Sequence, residues 1–186
     1  PITAPTPAED EADGDRFADD FATFRLKHGT YWRWVRPVFA GPTRSGANAR
    51  IEFRPIPAQP TVEDSLAFQA AFAGLLTSLP RRRHPVADQD WSVARENFYA
   101  AAREGLDAEI GWITNDGQET TATEAVYDDL LSHAVDGLRT AGFDAADAEA
   151  MLEPLFVRVR EGVTPADWKR ARVRERVEAG DGLAAA

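Results

Sequence analysis

Three charged residues spaced two apart, Arg50, Glu52 and Arg54, stand inside the segment Ala49-Arg50-Ile51-Glu52-Phe53-Arg54-Pro55. Side chains alternate between the two faces of a β-strand, so an extended segment sends these three one way and Ile51 and Phe53 the other. An Arg-Glu-Arg face over a buried apolar face suits a place where a metal ion and a phosphate meet. A carboxylate can ligate a hard cation, and a guanidinium can hold phosphate oxygens. A second dense segment lies upstream, Thr30-Tyr31-Trp32-Arg33-Trp34-Val35-Arg36-Pro37. It adds Arg33 and Arg36, for which stacking on the neighbouring tryptophans is the competing use. On pattern alone, the simpler reading of Glu52 is a surface carboxylate paired across Arg50 and Arg54.

Few other chemistries are on offer. The chain has no P-loop, no G-x-G-x-x-G after a strand, no H-E-x-x-H and no nucleophile elbow. His28, His84 and His133 are scattered without ligand spacing and read as structural or solvated. There is no cysteine, which excludes disulfides and thiolate metal sites and fits a reducing cytoplasm. No apolar run is long enough to span a bilayer, and no secretory signal opens the chain. The net charge is −10 over 186 residues, and Lys27 and Lys169 are the only lysines. Acidity with lysine depletion is the habit of proteins from salt-accumulating halophiles, whose self-repulsion is screened at molar salt by a Debye length of roughly 3 Å; the alternative is an acidic mesophilic protein from a GC-rich genome. The acidity argues against general nucleic-acid binding. The short run Arg81-Arg82-Arg83-His84, between Pro80 and Pro85, reads as a solvated loop.

The elements that must position these residues follow from periodicity and punctuation. Residues 1–15 are Pro- and acid-rich and read as a linker. Phe17, Phe21 and Phe24 predict a helix from about Asp15 to Lys27, ended by Gly29. Strands are expected over 31–39 and 50–54, joined by a loop over 42–48 into an antiparallel pair. Thr61 with Asp64 starts a helix running to about Leu79, with Leu66, Ala70, Ala73 and Leu76 on one side. Further helices are expected over 90–103, from Thr121 with Glu124 as capping acid to Thr140, over 145–160 with a kink or break at Pro154, and from Thr164-Pro165 to about Ala179. Residues 106–113 read as a strand ended by Asn115-Asp116-Gly117. The layout is α+β, with one portion over 16–180 and a tail over 181–186.

Several of these segments, taken in order, resemble the glutamate–cysteine ligase type 2 family. They are His28-Gly29-Thr30-x-Trp32-Arg33-Trp34-x-Arg36-Pro37, the 49–54 segment, Gln59-Pro60-Thr61-Val62-x-Asp64, Arg95-x-Asn97-Phe98-x-x-Ala101, Gly105-Leu106 with Trp112, and Gly162-x-Thr164-x-Ala166-x-Trp168. The resemblance implies a glutamine-synthetase-like fold, in which a curved antiparallel sheet floors the active site. It implies an ATP- and Mg²⁺-dependent ligase that joins the γ-carboxylate of glutamate to the amine of cysteine through an acyl phosphate. Carried onto this chain, Glu52 would hold Mg²⁺ and Arg54 an ATP phosphate, while Arg36, Arg33 and Arg50 would bind phosphate or substrate carboxylate. Asn97, Trp112 and Trp168 are expected to serve packing.

The chain also departs from the family pattern. Family members bring further glutamates to the metals from earlier strands, and no acid-bearing strand precedes Phe17. The expectation is therefore a C-terminal portion, with little or no activity alone, whose partners are glutamate, cysteine and the N-terminal part of the same protein. Self-association is left open, and neither nucleic acid nor membrane is expected as a partner. The alternatives are a non-catalytic module on a ligase-like scaffold, and a ligase with another amine acceptor.

Overall fold

The computed structural model describes residues 21–30, 33–40, 48–180 and 182. The expected linker, the start of the expected first helix with Phe17, residues Tyr31 and Trp32, most of the 42–48 loop and most of the tail lie outside the described residues. The chain divides into two compact units, Pro1–Pro57 and Ala58–Ala186.

In the first unit, helix α1 (Ala22–Thr30) runs through Gly29 instead of ending there. Strands β1 (Val35–Ala40) and β2 (Asn48–Phe53) form the expected antiparallel pair. Arg36 lies opposite Glu52 and Val38 opposite Arg50. Opposed residues share a face of a sheet, so Arg36, Arg50 and Glu52 line one side and Phe39, Ile51 and Phe53 the other. On the apolar side, Phe39 stacks on Phe21 with centroids 4.5 Å apart and meets Phe24 edge-on at 5.1 Å. Ile51 is 48 % exposed and Phe53 38 %, so the burial expected of both is not found among the described residues.

The second unit is helical. Helix α2 (Val62–Ser78) starts as expected, with the Thr61 hydroxyl accepting from the Asp64 N–H at 3.0 Å. After two 3₁₀ turns (Leu79–Arg81 and Pro85–Asp88) come α3 (Trp91–Glu104), a hairpin of β3 (Trp112–Ile113) and β4 (Glu119–Thr120), then α4 (Thr123–Thr140), α5 (Ala145–Glu161) and α6 (Pro165–Glu178). Helices α2, α4 and α5 enclose the core, which includes Ala67, Ala70, Leu131, Ala134, Leu138 and the fully buried Leu152. Burying one leucine stabilises by roughly 1.5–3 kcal/mol.

The face of α2 differs from the expected one. Leu66 and Leu76 are exposed, while Ala67, Ala70, Ala71, Gly74 and Ser78 are buried. The reason is a backbone-to-backbone crossing. A Cβ on Gly137 of α4 would stand 2.5 Å from the Gly74 carbonyl carbon, and one on Gly74 would stand 2.8 Å from the Ala134 carbonyl carbon. Large residues cannot occupy that seam, so the small ones do.

Three further boundaries differ. The expected 106–113 strand is a 3₁₀ turn (Gly105–Asp107) followed by the two residues of β3. Its ladder is interrupted because side chains take the Gly111 backbone groups. Asn97 accepts from the Gly111 N–H at 2.8 Å and donates to its carbonyl at 2.7 Å, and Gln89 donates to the same carbonyl at 2.8 Å. The Thr121–Glu124 capping box is not formed. Ala122 is the N-cap of α4, and the Thr123 hydroxyl reaches back to the Ala108 carbonyl instead. Helix α5 continues through Pro154 as one helix and ends at Gly162, whose φ of 62° is left-handed. The Thr164-Pro165 start of α6 holds, as a reciprocal cap between Thr164 and Asp167.

Candidate functional site

Arg36, Glu52 and Arg54 come together on the charged side of the β1–β2 ribbon. Glu52 Oε2 accepts from Arg36 Nε at 2.7 Å. Its Oε1 accepts from Arg54 Nε at 2.7 Å and Arg54 Nη2 at 2.6 Å. Arg54 follows β2, but its N–H still bonds to the Trp34 carbonyl at 2.8 Å, so its side chain keeps the register of the ribbon. The two guanidiniums hold the Glu52 carboxyl below its ordinary range, Arg36 first and Arg54 next. The Arg36 and Arg54 side chains are sheltered, at 15 % and 25 % exposed. Arg50 lies on this side but is exposed, and Arg33 is exposed just before β1. Neither makes an ion pair among the described residues.

The stretch of sequence that carries this trio is locally basic. From Phe21 to Pro57 the sequence carries Arg25, Lys27, Arg33, Arg36, Arg44, Arg50 and Arg54 against the single acid Glu52. Seven positive charges less one negative give +6 for this stretch, which the seven acids and one arginine of residues 1–20 bring to zero over the whole unit Pro1–Pro57. Two guanidiniums held at fixed spacing by one carboxylate suit an anion with several oxygens, such as a phosphate. The same set does not by itself suit Mg²⁺. That ion needs several oxygen ligands, and Glu52 is the one carboxylate among the described residues of this unit.

A second polar cluster, in the helical unit, was missed in the sequence, where the histidines read as scattered. His84 and His133 are 4 % and 3 % exposed, and their rings meet edge-on with centroids 5.2 Å apart. His84 caps the Pro85–Asp88 turn by accepting from the Val86 N–H at Nδ1 (3.1 Å). In the neutral ring the proton is therefore on Nε2, which donates to Asp129 Oδ2 at 2.8 Å. Asp129 also accepts from Trp112 Nε1 at 2.9 Å and from the Asn115 N–H at 3.0 Å. Burial would raise its carboxyl, but these bonds outweigh burial and hold it below its ordinary value. His133 Nδ1 lies 3.3 Å from Ser78 Oγ. Burial is the main cause that pushes this imidazole down, and His84 and Arg82 add to it. One local signal was available: Asp129 and His133 are four apart on a helix and so share a face. The link to His84, 45 residues from Asp129 in sequence, was not.

The other expected packing residues divide. Asn97 and Trp112 serve as hydrogen-bonding props, as described, whereas Trp168 is 64 % exposed on α6. A groove of about 400 Å³ between α3 and α4, lined by Phe98, Trp112 and Tyr127 among others, carries no charged side chain. Arg81, Arg82 and Arg83 are exposed, as the loop reading expected. Among the described residues, no helix is long and apolar enough to cross a membrane.

Comparison with known families gives one match. The family model described as glutamate–cysteine ligase family 2 matches residues 4–184. No curated protein and no solved structure shows significant similarity to the chain.

Proposed function

The chain belongs to glutamate–cysteine ligase family 2, a family of carboxylate–amine ligases, and from that premise we propose that it takes part in ATP-dependent synthesis of γ-glutamylcysteine. In that reaction a γ-carboxylate oxygen of glutamate attacks the γ-phosphorus of ATP, giving γ-glutamyl phosphate and ADP. The amine of cysteine then attacks the acyl carbon, and inorganic phosphate leaves. Ligases of this family generally use ATP with Mg²⁺, and the ion supplies charge neutralisation on the phosphates.

The observation that carries the reading is the sheltered Arg36–Glu52–Arg54 trio on the basic ribbon. Fixed cations stabilise charge that develops on a transferring phosphoryl group, and they work best when already oriented. In this proposal Arg54 holds an ATP phosphate. Arg36 holds a phosphate or a substrate carboxylate, and Arg33 and Arg50 extend the same field. Glu52 orients the two guanidiniums and becomes a Mg²⁺ ligand only with carboxylates from outside residues 21–57. The ribbon would then be one edge of a glutamine-synthetase-like sheet, in a chain that is the C-terminal part of the enzyme and acts in the cytoplasm.

The test is ADP release from ATP, with glutamate and a panel of amines, measured for the 186-residue chain and for the complete polypeptide. Removing one oriented stabilising group typically costs 10²–10³ in kcat, so Arg54→Ala and Glu52→Gln are each expected to lose about that much in the active form. Near-normal turnover in both variants sinks the site assignment. Nucleotide binding without ADP release for any amine favours a non-catalytic module, and turnover with another amine alone replaces cysteine as acceptor.

A further inference from the structure

The buried cluster of the helical unit is separate in sequence from the arginine ribbon, and nothing above gives it a ligand. One ring nitrogen of His84, one of His133 and one Asp129 oxygen lie within 4.8 Å of one another. Most buried polar side chains serve one partner, but here three metal-ligating atoms converge from a turn and one helix face. Two of the three are also tied from outside the cluster, His133 by Ser78 and Asp129 by the Asn115 amide at its other oxygen, whereas the Val86 amide holds His84 in its metal-free tautomer. Such outer partners fix ligand orientation at metal centres.

We propose that His84, Asp129 and His133 form a site for one divalent transition metal of the zinc class. Two imidazoles and a carboxylate suit Zn²⁺ or Co²⁺ and not Mg²⁺, which prefers an all-oxygen shell. In the metal-free form the Nε2 proton of His84 bridges to Asp129 and holds the ligands in place. Binding replaces that bridge. The metal accepts the Nε2 lone pair of His84, the ring proton moves to Nδ1, and no proton is lost from the ring. Because Nδ1 then carries hydrogen, it can no longer accept from Val86. The Val86 amide must release its bond, a signature specific to this site, and Trp112 Nε1, which shares Asp129 Oδ2 with His84, must adjust as well. Three protein ligands leave a fourth position for water.

The experiment uses the chelator-treated 186-residue chain, titrated with Co²⁺ alone and then with Zn²⁺. The expected result is one equivalent of Co²⁺ with the visible bands of a low-coordinate site, and its displacement by Zn²⁺ but not by a hundredfold excess of Mg²⁺. Amide NMR is expected to show the Val86 resonance moving on loading. Loss of one ligand in His133→Gln or Asp129→Asn is expected to weaken binding at least about tenfold. Circular dichroism identifies any variant that fails to fold, and the wild-type titration then decides. Absence of cobalt bands and of zinc binding in the wild type overturns the proposal. So does unchanged affinity in a folded His133→Gln variant, or loading that leaves Val86 unmoved.

Discussion

Adding one methyl group to Gly137 sets two effects of opposite sign against each other. Gly137 lies inside α4, and alanine is favoured over glycine in a helix interior by about 0.8–1 kcal/mol. Propensity alone therefore makes Gly137→Ala stabilising. The crossing says otherwise. The new Cβ would stand 2.5 Å from the Gly74 carbonyl carbon and 2.8 Å from its Cα, and nearer still to its carbonyl oxygen. Carbon atoms rest about 3.5–4.0 Å apart, so α2 and α4 would have to separate by roughly 1 Å. The obstacle is backbone on both sides, and no rotamer change relieves it. Separation loosens Ala67, Ala70 and Ala71 against Ala134 and Leu138, all members of one core cluster. Overpacking typically costs 1–3 kcal/mol, occasionally more, and a backbone obstacle belongs at the upper end. After about 1 kcal/mol of propensity is returned, a net loss of roughly 2 kcal/mol or more remains. For a unit of this size that is a fall in Tm of several degrees, on the order of 5–10 °C. Urea and thermal denaturation followed by circular dichroism measure it. Ala73→Gly, at an exposed position of α2, is the control for propensity and should lose only about 1 kcal/mol. A Gly137→Ala protein as stable as the parent would refute the crossing as the reason for the small-residue face.

Two further outcomes follow from named contacts. Arg158 donates to Asp64 at 2.6 Å and to Gln59 at 3.0 Å, its guanidinium lies over the Phe68 ring, and the two charged side chains are 18 % and 14 % exposed. Arg158→Met leaves a sheltered carboxylate short of its charged partner and should cost roughly 1.5–3 kcal/mol in urea denaturation; a loss under about 0.5 kcal/mol contradicts the contact. Asp167 accepts from the Thr164 hydroxyl and N–H and from Arg170, which lowers its carboxyl to about 2 from 3.8. A depressed carboxyl stabilises the folded form above its unfolded value and loses that contribution as pH falls through the folded one. The helicity of α6 is thus expected to decline between about pH 4 and pH 2, and Thr164→Ala should flatten that titration; an equal slope in both proteins dismisses the cap as its source.

Sequence and structure agree where a local rule decides. Thr61 and the Thr164-Pro165 pair start helices because capping needs residues within three positions. The 36–52–54 trio was half legible: alternation put Glu52 and Arg54 on one side, and the register added Arg36. Disagreement arises where distance in sequence decides. The face of α2 follows from Gly137, 63 positions beyond Gly74, and not from the positions of its own leucines. The 106–113 strand was lost to the Asn97 and Gln89 side chains of the preceding segment, which take the Gly111 backbone groups. His84 looked like the end of a solvated basic run because Asp129, its partner, is 45 residues away. The basic excess over 21–57 was countable from the sequence but was hidden by the acidity of the whole chain.

The glycine crossing also limits how the protein can change over time. A cavity in a core can be refilled by enlarging a neighbour, and an overlap can usually be relieved by shrinking one. At Gly74 and Gly137 neither exchange is open, because both partners already carry the smallest residue and the contact is between main chains. Leucines around the seam can drift among shapes of similar volume, but this pair has no compensating substitution. Ser78 lies four residues after Gly74 and His133 four before Gly137, and they approach each other at 3.3 Å. The spacing of that polar pair is thus set by two positions at which descent with modification has almost no freedom.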